Sequence, residues 1–190
     1  MIIPVLIPMK DGHILYPDVY KSILNQTIQL SIIPITRPRL EIDTIKGIDP
    51  NIEKDICHGY LSQAQNRNIA VDSISSYKGD FIVMMDCDTV LLENNVIEKA
   101  IEKLSKNKNL GVVHINKRAI EIKDLELPHY DIGCIIIRTT ILRKITFRSE
   151  TPATCNCISF HNDVTEMGYS STYNESRQQA KEINTYKRYY

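Results

Sequence analysis

Five uninterrupted apolar residues, Phe81-Ile82-Val83-Met84-Met85, run directly into Asp86-Cys87-Asp88, and no other stretch constrains the fold as much. Continuous apolar character, rather than alternation, marks a strand covered on both faces, as in a parallel sheet with helices on either side. In open α/β sheets ligands bind beyond the carboxyl ends of such strands, which is where Asp86 and Asp88 fall. In extended chain, residues i and i+2 point the same way about 6 to 7 Å apart, so two carboxylates so placed can address one hard cation, or one cation and a ligand hydroxyl. The competing reading is a solvated turn or a helix N-cap.

The apolar and helical segments around this strand predict a strand-helix alternation. Met1 to Pro8 reads as a first strand, Tyr16 to Gln26 as a helix entered through Pro17, and Ile28 to Ile35 as a second strand. Pro34 makes the end of that strand an edge or an irregular exit. Residues 36–59 carry Pro38, Gly47, Pro50 and Gly59 and read as loops around a short strand near Leu40 to Ile42. A helix follows over Leu61 to Tyr77, with the stripe Ala64, Val71 and Ile74. Arg67 lies on the same stripe, where a guanidinium needs either an internal carboxylate or a ligand phosphate. Val96 to Leu104 is an amphipathic helix whose Glu98, Lys99, Glu102 and Lys103 form a solvated face. Leu110 to Ile115 and Ile132 to Ile137 read as strands, and Asp163 to Met167 belongs to a helix closed by Gly168. The basic, tyrosine-rich tail from Ser176 to Tyr190 reads as a terminal helix packed on the sheet, or as a surface for a membrane or partner.

Composition narrows the classes. With 190 residues, 43% hydrophobic and 24% charged, the chain suits one globular domain. Lys+Arg and Asp+Glu are equal at 23 each, so net charge recruits neither nucleic acid nor an anionic membrane. No window reaches the ~18 apolar residues of a membrane helix, and the apolar start lacks a basic leader region; a cytoplasmic protein without a transmembrane segment is expected. Cys57, Cys87, Cys134, Cys155 and Cys157 are scattered and odd in number, which fits neither a disulfide framework nor a structural zinc site, and Cys134 reads as a small core residue.

The order of these signatures resembles the glycosyltransferases of the GT-A fold, particularly the inverting family-2 type. Gly79-Asp80, the apolar strand and Asp86-Cys87-Asp88 match that family's Asp-x-Asp strand. Ile7-Pro8 looks like its nucleotide-contacting Ile-Pro, and Ser22-Ile23-Leu24-Asn25-Gln26-Thr27 is similar to the end of its first helix. Asn66-Arg67-Asn68 matches its Arg-Asn element, and Cys134 to Arg138 is similar to its acceptor-side strand ending in arginine. Phe147 to Glu150 followed by Met167-Gly168-Tyr169 fits the closing order.

The resemblance implies a Rossmann-like α/β fold, a mixed and mostly parallel sheet with helices on both faces. It implies one catalytic domain over residues 1–190, with a nucleotide-binding half of about 1–90 and an acceptor-side half of about 91–190. The activity implied is metal-dependent transfer of a sugar from a nucleotide-diphosphate donor to an acceptor hydroxyl of a glycan, protein or lipid. Asp86 would face the nucleotide and ribose, Asp88 would ligate Mn²⁺ or Mg²⁺, and Pro8, Met9, Lys10 and Arg67 would line the donor site. Oxygen ligation without an adjacent histidine or thiolate pair suits those ions better than zinc.

Two positions depart from the family pattern. Ile35-Thr36-Arg37-Pro38 stands where an acidic residue normally reads the base, and Asn156-Cys157 stands where an acidic pair normally supplies the general base. An inverting transfer needs a carboxylate near the acceptor hydroxyl. Asp163, seven residues after Asn156 and so on the same helical face, is the first candidate, Glu150 the second, and His161 a third. Asp163 can equally be a solvated helix residue and Glu150 a loop acid. The alternatives to a glycosyltransferase are a non-catalytic nucleotide-binding or scaffold protein of the same fold, and a sugar nucleotidyltransferase. For the latter, Met9-Lys10-Asp11-Gly12-His13 is a poor match to the required Gly-rich loop.

Overall fold

The computed structural model describes residues 2–8, 16–35, 63–115, 132–148, 156–175 and 178–183. Strand β1 (Ile3–Pro8) leads through helix α1 (Pro17–Leu24) to β2 (Leu30–Ile35). Helix α2 (Gln63–Asp72) precedes the central β3 (Phe81–Met85) and a short β4 (Thr89–Leu91). Then come α3 (Val96–Lys106), β5 (Leu110–His114), β6 (Cys134–Arg138), the single turn α4 (Thr139–Leu142), α5 (Asn156–Glu166), β7 (Ser170–Tyr173) and β8 (Ala180–Glu182). The strand expected near Leu40 to Ile42 lies outside the described residues.

Six strands form one sheet in the order β2-β1-β3-β6-β5-β7. β1 is parallel to β2 and β3, β5 is parallel to β7, and β6 runs against both β3 and β5. The mixed, mostly parallel α/β sheet expected from the sequence is therefore present, with β2, the strand that ends at Pro34-Ile35, at one edge.

Side chains of the central strands alternate between two cores. Val5, Phe81, Val83, Met85, Cys134 and Ile136 pack with α1 and α3 through Val19, Ile23, Ile97, Ala100 and Leu104. Leu6, Ile82, Met84, Ile135 and Ile137 pack on the other face with Ala64, Ala70, Leu142, Phe160 and Val164 of α2, α4 and α5. Burial on both faces is why β3 has no polar position before Asp86. Gly168, at φ +81°, terminates α5 in the left-handed conformation that glycine adopts without strain.

Two expectations need correction. The tail contributes a strand where a terminal helix was expected: Ala180–Glu182 pairs antiparallel with β4, Leu91 opposite Ala180 and Thr89 opposite Glu182. A three-residue strand exists only through its partner, so its own sequence carries no period to read. The charged face of α3 is also not wholly solvated. Lys99 lies 2.8 Å from Glu175 and 3.6 Å from Glu93, while the Lys103 ammonium donates to the carbonyls of Tyr173 and Asn174. Among the described residues no helix is long and apolar enough to cross a membrane.

Candidate active site

The parallel strands deliver their carboxyl ends to one edge of the sheet. Leu6 pairs with Met84, so two residues further along both strands bring Pro8 and Asp86 to the same level. There β3 stops. The Asp86 amide donates to Gly133 O at 2.8 Å, and the Thr89 amide donates back to Asp86 O at 3.2 Å, so the chain turns over 86–89. The backbone that carries the two carboxylates is thus a turn and not extended strand, braced by Gly133, whose carbonyl also receives the Thr89 hydroxyl at 3.4 Å. Sequence left a turn as one of the open readings and could not choose it, because its partner, Gly133, is 47 positions away from Asp86 and enters on a strand of opposite direction.

Arg67 projects from α2 into this edge. It is 1% exposed, and its Nη2 donates to Asp86 Oδ1 at 3.0 Å. Its guanidinium lies over the Phe147 ring, 5.9 Å from the centroid, and Phe147 stacks on Phe160 of α5 at 5.5 Å. Of the two partners open to Arg67 from sequence, the internal carboxylate is the one present. The pairing is incomplete, because Nε and Nη1 are buried with no hydrogen-bond partner among the described residues. Asn68 beside it donates to Phe147 O at 3.0 Å and accepts from the Phe147 amide at 2.8 Å, which fixes the ring under the guanidinium. The Asn66-Arg67-Asn68 element thus joins the Asp86 turn to the segment that enters α5.

Asp88 is half-buried, and its carboxylate has no hydrogen-bond partner among the described residues; its carbonyl accepts from the Ile183 amide at 2.7 Å. No three His, Cys, Asp or Glu side chains converge as a metal cluster among the described residues. Mg²⁺ and Mn²⁺ sites of the diphosphate type need only one or two carboxylates, the phosphates supplying further oxygens. A hard, unengaged carboxylate at Asp88 beside Asp86 fits that requirement.

Asp163 lies on α5, with its side chain 13% exposed, and its Oδ1 accepts from Arg148 Nη2 at 2.7 Å. Arg148 follows Phe147 directly, so the segment that shields Arg67 also presents the arginine that holds Asp163. Asn156 and Cys157 are buried at the start of α5. Burial lowers the pKa of His161 below 6.5. Met9, Lys10 and Glu150 lie outside the described residues.

Two family-like signatures hold the structure together away from the Asp86 turn. Arg138 pairs in register with Phe81, at the end of the sheet opposite Asp86, and donates to the carbonyls of Leu110, Leu104 and Asn107. The antiparallel direction of β6 places it there, so the site end of this strand is Gly133-Cys134. Ser22 and Gln26 form a buckle under β4 and α3. The Leu91 amide donates to Ser22 Oγ at 3.1 Å, Gln26 Nε2 reaches Glu93 O at 2.7 Å, and Gln26 Oε1 accepts from the Ile97 amide at 3.3 Å. Asn95, at the N-cap, makes no side-chain cap bond, so Gln26 supplies a first-turn acceptor for α3.

The sheet order and the helices on both faces are those of a GT-A type α/β fold. Similar solved structures include a mannosyltransferase from Pyrobaculum calidifontis in complex with GDP-Man and Mn²⁺, at 15% identity and TM-score 0.58 over 90% of this chain and 54% of that one. S. aureus TarS residues 1–349 match at 12% identity and TM-score 0.61, over 95% of this chain and 60% of that one. Glucosyl-3-phosphoglycerate synthase from Mycobacterium tuberculosis, in complex with Mn²⁺, UDP and phosphoglyceric acid, matches at 12% and 0.61, over 96% and 70%. The chain spans little more than half the length of the first of these and under two thirds of the second. At such identities the shared property is the fold. No protein-family model and no curated protein sequence matches the chain.

Proposed function

We propose that the chain is a metal-dependent glycosyltransferase that moves a sugar from a nucleotide-diphosphate donor to an acceptor hydroxyl, with inversion. The observation that carries this is the turn at the carboxyl edge of a GT-A sheet, where Asp86 is held by Arg67 and the Asp88 carboxylate has no hydrogen-bond partner among the described residues. Fold neighbours with UDP or GDP-mannose and Mn²⁺ in their complexes support the donor class. Residues 1–90 would carry the donor, with Pro8, Met9 and Lys10 beside the nucleotide, and residues 91–190 the acceptor.

Asp88, with Asp86, would hold Mg²⁺ or Mn²⁺, which when bound supplies Lewis acidity to the departing diphosphate. Asp86, fixed by Arg67, would orient the ribose side of the donor. Arg67 would turn to the diphosphate the N–H edge that has no partner among the described residues, adding positive charge where negative charge grows as the sugar–oxygen bond breaks. Asp163 would take the proton of the acceptor hydroxyl as that oxygen bonds to the anomeric carbon, through Oδ2, since Oδ1 is engaged by Arg148. Glu150 is the second candidate for that role.

Titration calorimetry of UDP and GDP with and without Mn²⁺ tests the reading on wild type and Asp88→Asn. Metal-dependent binding of one nucleotide, lost in the variant, is the expected result; equal binding by both proteins removes Asp88 from the site. A non-catalytic nucleotide-binding protein is favoured by one observation, the buried, non-acidic Asn156 and Cys157. Binding without turnover on any acceptor is its signature.

A further inference from the structure

The last described segment of the chain ends on the Asp88 turn. Residues 173–175 are anchored to α3: Lys103 Nζ holds the carbonyls of Tyr173 and Asn174, Lys99 pairs with Glu175, and Asn174 Nδ2 donates to Val96 O at 3.1 Å. The Asn174 amide also donates to His114 O at 2.8 Å, at the carboxyl end of β5. Asn174 Nδ2 further donates to Gln179 Oε1 at 2.8 Å, both side chains being buried. From Gln179 the chain zips onto β4. Gln179 O receives the Leu92 amide at 2.9 Å, Ala180 to Glu182 pair with Leu91 to Thr89, and the Ile183 amide closes on Asp88 O at 2.7 Å.

We propose that residues 173–175 and 178–183 act as a strap that positions Asp88 for its ligand, with Gln179 and the Ile183 amide as positioning groups. This rests on the metal role assigned to Asp88 above. Arg67 grips the turn at the Asp86 carboxylate, but the Asp88 carboxylate has no hydrogen-bond partner among the described residues, so Asp88 is positioned through the backbone contacts of the turn. On one side these are Gly133 and the Asp86–Thr89 bond; on the other, where Asp88 itself sits, the contact is Ile183. Groups that orient a ligating residue without touching the ligand set the affinity of the site, because small displacements of a ligating atom weaken it steeply. The Asn174–Gln179 bond fixes the register with which β8 meets β4. A one-residue slip there would send Glu182 and Ile183 past Asp88. Donor-site metal affinity is thereby made to depend on residues about ninety positions downstream, anchored at the end of β7.

The test is Ile183→Pro in the full chain, with Ile183→Val as control. Proline removes the N–H that reaches Asp88 O and is compatible with the extended Glu182 before it. Binding of UDP or GDP, whichever wild type takes, is measured with and without Mn²⁺ beside the melting temperature. The metal-dependent affinity of Ile183→Pro should fall about fivefold to tenfold, the equivalent of one hydrogen bond. Metal-free affinity and the valine control should stay at wild-type values. A lower melting temperature with an unchanged ratio of metal-dependent to metal-free affinity overturns the proposal and leaves the strap a stability element. Gln179→Met, which keeps length and deletes the acceptor for Asn174, gives the same readout should the proline variant fail to fold. Absence of metal-dependent binding in wild type would overturn both the strap and the function on which it rests, whereas its loss of dependence on Ile183 alone sinks only the strap.

Discussion

Replacing Arg67 by methionine should leave the fold as stable as wild type or more stable, while removing nucleotide-diphosphate binding. The guanidinium is 1% exposed, and two of its nitrogens have no partner among the described residues. Each unsatisfied buried donor costs about 1–3 kcal/mol, so methionine relieves roughly 2–6 kcal/mol. Against this stand one charge-assisted bond to Asp86, worth about 1.5–3 kcal/mol, and the stacking on Phe147, about 0.5–2 kcal/mol. Asp86 keeps 27% of its side chain open to water, so its carboxylate is not stranded when the arginine goes. Low ends against low ends and high ends against high ends, these terms nearly cancel, leaving about 0 to 1 kcal/mol in favour of methionine; the hydration left to Asp86 is what separates this change from stripping one partner off a fully buried ion pair. Chemical denaturation reads the stability, and at this chain length about 1 kcal/mol moves the melting temperature by roughly 2–4 °C. Calorimetry with nucleoside and nucleoside diphosphate reads the function, and only the diphosphate should weaken. A variant destabilised by more than about 2 kcal/mol, or one that loses both ligands equally, would show that Arg67 is held for structure and that the unpaired edge serves no ligand.

Other outcomes follow from the same contacts. Gln26→Ala removes bonds to Ser22 O, Glu93 O and the Ile97 amide and should destabilise by about 2–4 kcal/mol; a loss below about 1 kcal/mol by urea denaturation would mean the buckle is rebuilt by water. Asp163→Asn should lower kcat by about 10²–10⁴-fold with donor affinity unchanged, whereas an intact kcat moves the search for the base to Glu150. Burial depresses His161, so the unfolded chain binds more protons than the native one just below pH 6.5, and stability should rise with pH through that window. His161→Gln should flatten this slope, and an unchanged pH profile of the melting temperature would assign the slope to another group.

Much of the architecture was readable because it rests on burial. A strand covered on both faces must be apolar at every position, so Phe81–Met85 announced itself, its carboxyl end pointed to the candidate site, and Pro34 marked the edge strand. The amphipathic α3 and the glycine closing α5 were legible for the same local reasons of period and backbone conformation. Local pattern also placed Arg67 on an inward face, but it could not choose the partner. That choice required Asp86 to arrive from a neighbouring strand and Phe147 to be pinned by Asn68.

What the sequence determined alone was therefore the α/β class, the central strand and the identity of the acidic pair. Tertiary structure decided that the pair sits on a turn, that β6 is reversed and carries Arg138 away from the site, and that the tail returns as β8. The physical reason is common to all three. Direction, register and pairing are set by hydrogen bonds between backbones far apart in the chain, and a backbone amide or carbonyl has no letter in the sequence.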